Sequence, residues 1–252
     1  MNRLLIAGNW KMNGLRADLG TIRQIAASLS SPAAGPEALL CVPATLLAEA
    51  SATAAGTALK TGGQTCHSAD RGAFTGDLSA EMLAEAGAAY VIVGHSERRT
   101  AHGETDAVVA AQAAAALKAG LTPILCLGET LQQRAAGETL SVIRRQLEGS
   151  LAGLTDAARL VLAYEPLWAI GTGQVATPGQ IAEVHDDIRR FLGERFGGAG
   201  NQVRILYGGS LNPGNAAEIL VISNVGGGLI GGASLKAADF LAIYRTAGAL
   251  RV

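Results

Sequence analysis

Glu165 follows a short apolar run, 159–163, and is itself followed at once by Pro166. Proline has no N–H for a strand ladder and restricts the residue before it, so this carboxylate stands where a strand must end. Beyond it, Leu167-Trp168-Ala169-Ile170 forms an apolar body bounded by Gly171, Thr172 and Gly173. A carboxylate at a strand end, beneath a loop with flexible ends, suits a general base that a lid can cover. Taken alone, the same residues also suit a solvated glutamate beside an ordinary connection.

Other residues with chemical potential occupy matching positions. Asn9 and Lys11 follow the run 4–8, and His95 follows 89–93. A lysine there can hold an anion and stabilise developing negative charge, although an exposed loop lysine has the same sequence appearance. His95 alone is open to structural, metal-binding or acid–base roles. The four histidines (67, 95, 102 and 185) form no ligand pair of the usual spacing, and there is no His-Glu-x-x-His, so no metal is expected. Gly94-His95-Ser96-Glu97-Arg98 nearly matches a hydrolase nucleophile elbow, but Arg98 replaces the glycine its sharp turn needs.

Two glycine pairs point to an anion. Gly208-Gly209-Ser210 and Gly231-Gly232 each follow an apolar run in consecutive units, where backbone N–H groups can approach a phosphate. Tight turns would use glycine equally. Residues 226–231 match G-x-G-x-x-G literally, but too little chain follows for the acidic residue of a dinucleotide site. No Walker P-loop is present, so a nucleoside triphosphate is not indicated.

The elements that must position these groups alternate. Strands are expected at 4–8, 38–42, 57–62, 89–93, 123–126, 159–163, 203–206 and 227–230. Helices are expected from Leu19 to Leu29 and at 45–55, 80–86, 105–119, 138–152, 178–196, 213–221 and 236–248. Eight strand–helix units in 252 residues fit one (β/α)8 barrel spanning residues 1–252, and the strands are continuously apolar, as buried parallel strands are. A doubly wound open sheet is the alternative. The barrel is favoured because Lys11, Gln64, His95, Glu129, Glu165, Ser210 and Gly231-Gly232 all fall at or just past strand C-terminal ends. A barrel gathers those ends at one mouth.

Bulk composition narrows the classes. Hydrophobic residues make up 49% and charged residues 16%, which is globular, and a net charge of −1 gives no argument for nucleic-acid or anionic-membrane binding. No apolar run approaches the roughly 20 residues of a membrane span. The opening apolar run is too short, with too little charge ahead of it, for a secretory signal. Three cysteines (41, 66 and 126), widely spaced and odd in number, read as reduced thiols of a cytoplasmic protein.

Five segments together carry a family resemblance. Asn9-Trp10-Lys11-Met12-Asn13, Gly94-His95-Ser96-Glu97-Arg98-Arg99, the stretch from Ala163 through Glu165 to Gly173, Tyr207-Gly208-Gly209-Ser210 and Gly231-Gly232-Ala233-Ser234-Leu235 closely resemble the triosephosphate isomerase family, in order along the whole chain. The resemblance implies interconversion of dihydroxyacetone phosphate and glyceraldehyde 3-phosphate, a step of glycolysis and gluconeogenesis, without metal or organic cofactor. It implies Glu165 as base, His95 as neutral imidazole, and Lys11 with Asn9 as stabilisers of the enediolate and phosphate. Glu97 would support Lys11, and the backbones of Gly171, Ser210, Gly231 and Gly232 would grip the phosphate. Residues 166–176 would form the lid. Residues 64–79 resemble the family's dimer loop, implying a homodimer in which Thr75 reaches the partner's site. A close relative acting on a four-carbon phosphosugar, or an idle barrel kept for binding, would share much of this pattern, although an idle barrel should have lost Glu165, His95 or Lys11. Gln174, Gly226 and His102 depart from the residues common in the family, which bears on lid rate and stability rather than reaction class.

Overall fold

The computed structural model describes residues 3–29, 35–171 and 174–250. Eight parallel strands close on themselves in chain order: β1 (Leu5–Asn9), β2 (Glu37–Cys41), β3 (Leu59–Gly63), β4 (Tyr90–Val93), β5 (Thr122–Leu127), β6 (Val161–Tyr164), β7 (Arg204–Tyr207) and β8 (Gly227–Ile230). The closing seam pairs Leu5 with Gly227 and runs to Gly8 opposite Ile230. That seam excludes the open sheet. Gly227 adopts φ +140°, and a β-carbon there would stand 1.9 Å from the Leu5 carbonyl oxygen, so the seam requires glycine.

The helices lie outside: α1 (Leu19–Ser28), α2 (Ala44–Ala54), α3 (Ala80–Glu85), α4 (Ser96–Ala101), α5 (Asp106–Lys118), α6 (Leu131–Ala135), α7 (Thr139–Ser150), α8 (Pro178–Phe196), α9 (Ala216–Leu220) and α10 (Ala237–Ala249). The sequence-based limits hold to within a residue or two for most elements. The differences are local. The expected helix 213–221 shortens to α9, because Asn212 and Asn215 cap a turn ahead of it. The short helices α4 and α6 were not anticipated; each occupies less than two turns, too few residues for an apolar period to register. The expected turn at 30–36 lies mostly outside the described residues, as do Thr172 and Gly173 of the expected lid.

Strand alternation divides the core in two. Leu5, Ala7, Leu39, Cys41, Tyr90, Ile92, Ile124, Cys126, Val161, Ala163, Leu206 and Leu229 fill the barrel interior. Their neighbours on each strand, such as Val91, Val93 and Leu125, face the helices in a second, larger cluster. Helix α8 shows how local signals set an outer element. Thr177 caps it with Gln180 completing the capping box, Pro178 opens its first turn, and Ile181, Val184, Ile188 and Leu192 are buried at helical spacing. Burying each such side chain contributes roughly 1.5–3 kcal/mol. At the N-terminal end of the barrel, Arg204 donates to Glu37 at 2.6 Å and to the Tyr90 hydroxyl at 3.0 Å, and that hydroxyl donates to Glu37 at 2.5 Å. Interior charge at this end is thereby paired.

Candidate active site

Glu165 directly follows β6 and is 1% exposed. One carboxylate oxygen, Oε1, lies 3.0 Å from His95 Nε2, and the other, Oε2, accepts the Ser96 backbone N–H at 3.0 Å. Burial alone would raise the Glu165 pKa. The His95 imidazole and the Ser96 N–H outweigh it and hold the carboxyl below its ordinary value.

His95 turns the chain from β4 into α4 and caps that helix, its Nδ1 accepting the Glu97 backbone N–H at 3.2 Å. An accepting Nδ1 fixes the neutral tautomer with its proton on Nε2, aimed at Glu165. Burial pushes the His95 pKa down, and the adjacent Glu165 charge turns the net shift upward. A second ring proton would have to break the capping bond at Nδ1.

Lys11 stands across the mouth in the left-handed region at φ +53°, which is uncommon for a residue with a side chain. The Gln64 amide holds it there, donating to the Lys11 carbonyl at 2.8 Å and to the Cys41 carbonyl at 3.2 Å. Asn9 Oδ1 accepts the Lys11 N–H at 3.0 Å, leaving the Asn9 NH2 group as the donor it offers the cavity. Lys11 Nζ donates to Glu97 Oε1 at 2.5 Å. Gln64 fell among the polar strand-end residues in the sequence, but nothing there indicated its task.

Asn9, Lys11, His95 and Glu165 line a cavity of about 390 Å³ together with Ile170, Gly171, Ser210, Leu229, Gly231 and Gly232. Gly231 is close enough to the Lys11 stem that a β-carbon would stand 3.7 Å from Lys11 Cε, whereas one on Gly232 would meet open space. A 3-10 turn, Gly232–Leu235, begins there, and the first N–H groups of such a turn lack partners within it. The start of that turn, an ammonium group and a buried carboxylate therefore share one chamber. Glu97 stands outside the lining and acts on it through Lys11 and His95. Thr75 also lies outside it, on the exposed loop after β3, where Phe74 is 45% exposed and packs on His67 with ring centroids 4.0 Å apart.

Buried polar side chains brace this chamber. Glu129, fully buried, accepts from the Tyr164 hydroxyl at 3.1 Å and from Trp168 Nε1 at 2.9 Å, tying the start of the expected lid to β5 and β6. Arg99 donates to the carbonyls of Gly94 and Cys126, to Asp106 and to Ser150. Arg98 pairs with the buried Glu104 at 2.6 Å. Among the described residues, no group of three or more His, Cys, Asp and Glu side chains gathers as a metal-binding set, and no helix is long and apolar enough to cross a membrane.

A closed parallel barrel with a polar chamber at its strand C-termini is a (β/α)8 barrel of the enzyme type. The model of the triosephosphate isomerase family matches residues 4–247. A triosephosphate isomerase of Hyphomonas neptunium is 65% identical over 98% of this chain and 99% of that protein. One of Dinoroseobacter shibae is 59% identical over 98% of this chain and all of that protein. The crystal structure of triosephosphate isomerase from Bartonella henselae superposes with a TM-score of 0.91 at 51% identity, covering 97% of this chain and 99% of that one. The chain belongs to the triosephosphate isomerase family, and is an enzyme that isomerises a triose phosphate.

Proposed function

We propose that Glu165, His95 and Lys11 carry the interconversion of dihydroxyacetone phosphate and D-glyceraldehyde 3-phosphate in this chain. The observation that carries this reading is the 3.0 Å approach of Glu165 Oε1 to His95 Nε2 beside the cavity that Lys11 also lines. Glu165 takes the proton from the hydroxymethyl carbon of the ketose and returns it to the neighbouring carbon. His95, neutral, donates from Nε2 to the substrate oxygens and moves protons between them. A neutral donor suits an enediol because its pKa lies nearer that of its partner; this family is the standard worked case of that device and of a closing loop. Lys11 and the Asn9 NH2 stabilise charge on the enediolate and phosphate, and the backbones of Gly171, Ser210, Gly231 and Gly232 hold the phosphate. No step is assigned to a metal or an organic cofactor.

Both Glu165 oxygens are engaged without substrate, so the carboxylate must release the Ser96 N–H to reach carbon. Closure of the loop after Pro166 would cover the intermediate, exclude water and suppress elimination of its phosphate. The whole chain acts as one domain, and two copies pair through residues 64–79, bringing Thr75 toward the partner's chamber. The exposed Phe74 supports that pairing. Three free, buried cysteines support a cytoplasmic setting, and the net charge of −1 supports no nucleic-acid partner.

The test is steady-state turnover of glyceraldehyde 3-phosphate beside four-carbon ketose phosphates, with EDTA present. Preference for the triose by orders of magnitude is expected. Glu165→Asp withdraws the base by one methylene and should lower kcat by about a hundredfold with little change in phosphate affinity. Undiminished kcat in that variant would sink the assignment of the base.

A further inference from the structure

Strand β4 leaves the sheet at Gly94 (φ +65°), one residue after Val93 pairs with Leu125, while β5 runs on to Leu127. Backbone groups alternate sides along a strand. The Leu127 carbonyl faces β6 and accepts the Glu165 N–H at 2.8 Å, so the free groups of Cys126 and Gly128 face the side that β4 has vacated. Side chains take the missing strand's place. Arg99 donates to the Cys126 carbonyl at 3.2 Å. Gln146, from α7, closes both groups of Gly128: the Gly128 N–H donates to Gln146 Oε1 at 2.8 Å, and Gln146 Nε2 donates to the Gly128 carbonyl at 3.0 Å.

Gly128 is the residue on which the base rests. A β-carbon there would stand 1.7 Å from the Glu165 carbonyl oxygen and 2.7 Å from its carbon, so the two backbones are in direct contact. The flanking ladder bonds, Glu165 N–H to Leu127 and Leu167 N–H to Glu129 at 3.1 Å, bracket that contact. The backbone of Glu165 is thus set by three consecutive residues, and the middle one is held by a side chain. A primary amide is suited to this because it presents one acceptor and one donor side by side, as a neighbouring strand would.

We propose that Gln146 is a positioning residue for Glu165, a stand-in strand that fixes the Gly128 peptide and through it the reach of the base. The proposal rests on the reading of Glu165 as base. Gln146 touches no substrate, so its loss acts on chemistry rather than on phosphate binding.

Gln146→Leu removes both bonds. Its kcat should fall by about ten- to a hundredfold, the scale for a small displacement of a reacting group, while inhibition by inorganic phosphate stays within about twofold. In a Glu165→Gln background the same substitution should cause no further loss of the residual rate, because it acts through Glu165. Gln146→Glu adds a second readout. Ionised, the new carboxyl can accept from Gly128 but not donate; protonated, it does both. Its kcat relative to the parent chain should therefore rise as pH falls, and that profile decides the matter if Gln146→Leu fails to fold. Parent-like kcat in Gln146→Leu, a parallel loss of phosphate binding, or a Gln146→Glu profile that tracks the parent would each overturn the proposal. Parent-like turnover by Glu165→Gln alone would overturn the base and this proposal together, a result separable from any outcome at Gln146.

Discussion

Gly208 and the Glu165 side chain compete for one piece of space. A β-carbon at 208 would stand 2.9 Å from Glu165 Cγ and 3.1 Å from the Tyr164 carbonyl oxygen. The glycine after β7 therefore sets how far the Glu165 carboxylate lies from Ser210, two residues later. Gly208→Ala should displace the carboxylate and lower kcat about tenfold or more, with inhibition by phosphate largely retained. Equal losses of both would show a collapsed chamber instead.

Lys11 and Glu97 form an ion pair whose side chains are 28% and 55% exposed. Such a pair contributes roughly 0–1 kcal/mol to stability, so its value lies in aiming the ammonium group. Lys11→Met should raise KM and weaken inhibition by phosphate strongly, because it removes the charge from the chamber. Glu97→Gln should change KM for the triose far less. Comparable effects in the two variants would count against Lys11 as the group that meets substrate.

His185 is fully buried on α8. Its Nδ1 lies 3.2 Å from the Asn224 carbonyl, and its ring meets Tyr164 edge-on at 5.9 Å. Burial lowers its pKa from 6.5 to about 4. The unfolded chain therefore takes up a proton that the folded chain refuses across that interval. Stability is full above about pH 6.5 and declines as pH falls toward 4, with a loss on the order of 3 kcal/mol. Urea unfolding at a series of pH values should show this slope, and His185→Gln, which keeps a donor for Asn224, should flatten it. An unchanged slope in the variant would remove His185 as the cause.

The loop carrying Phe74 and Thr75 supplies a test of assembly. Phe74→Asp puts a charge where the proposed partner would seat an aromatic ring, and should shift the sedimenting species from dimer to monomer. A parent chain that sediments as a monomer would refute the pairing outright.

The candidate site residues were legible in the sequence because most strands end abruptly and leave a polar residue at the break. Glu165 before Pro166 and His95 after Gly94 are the clearest cases, and the barrel followed from how many such breaks point to one mouth. The bracing groups were not legible. Gln146 sits at an ordinary helix position, and its meaning depends on β4 stopping two residues short of the end of β5, a register difference that no local pattern records. Arg99 could be read only as part of a motif, because its acceptors at Cys126, Asp106 and Ser150 come from three later elements. Gln64 was visible as a polar residue, but the positive φ of Lys11 that it stabilises was not.

The seam between β1 and β8 also dictates when activity can arise as the chain is made. Lys11 follows the first strand of the barrel and Gly231–Gly232 the eighth, so they become neighbours only when residues 227–230 dock beside 5–8. Every intermediate before that docking exposes two unpaired strand edges and leaves the chamber without one of its walls. In refolding, regain of turnover should trail regain of helical signal, since catalysis reports the final stitch of the barrel.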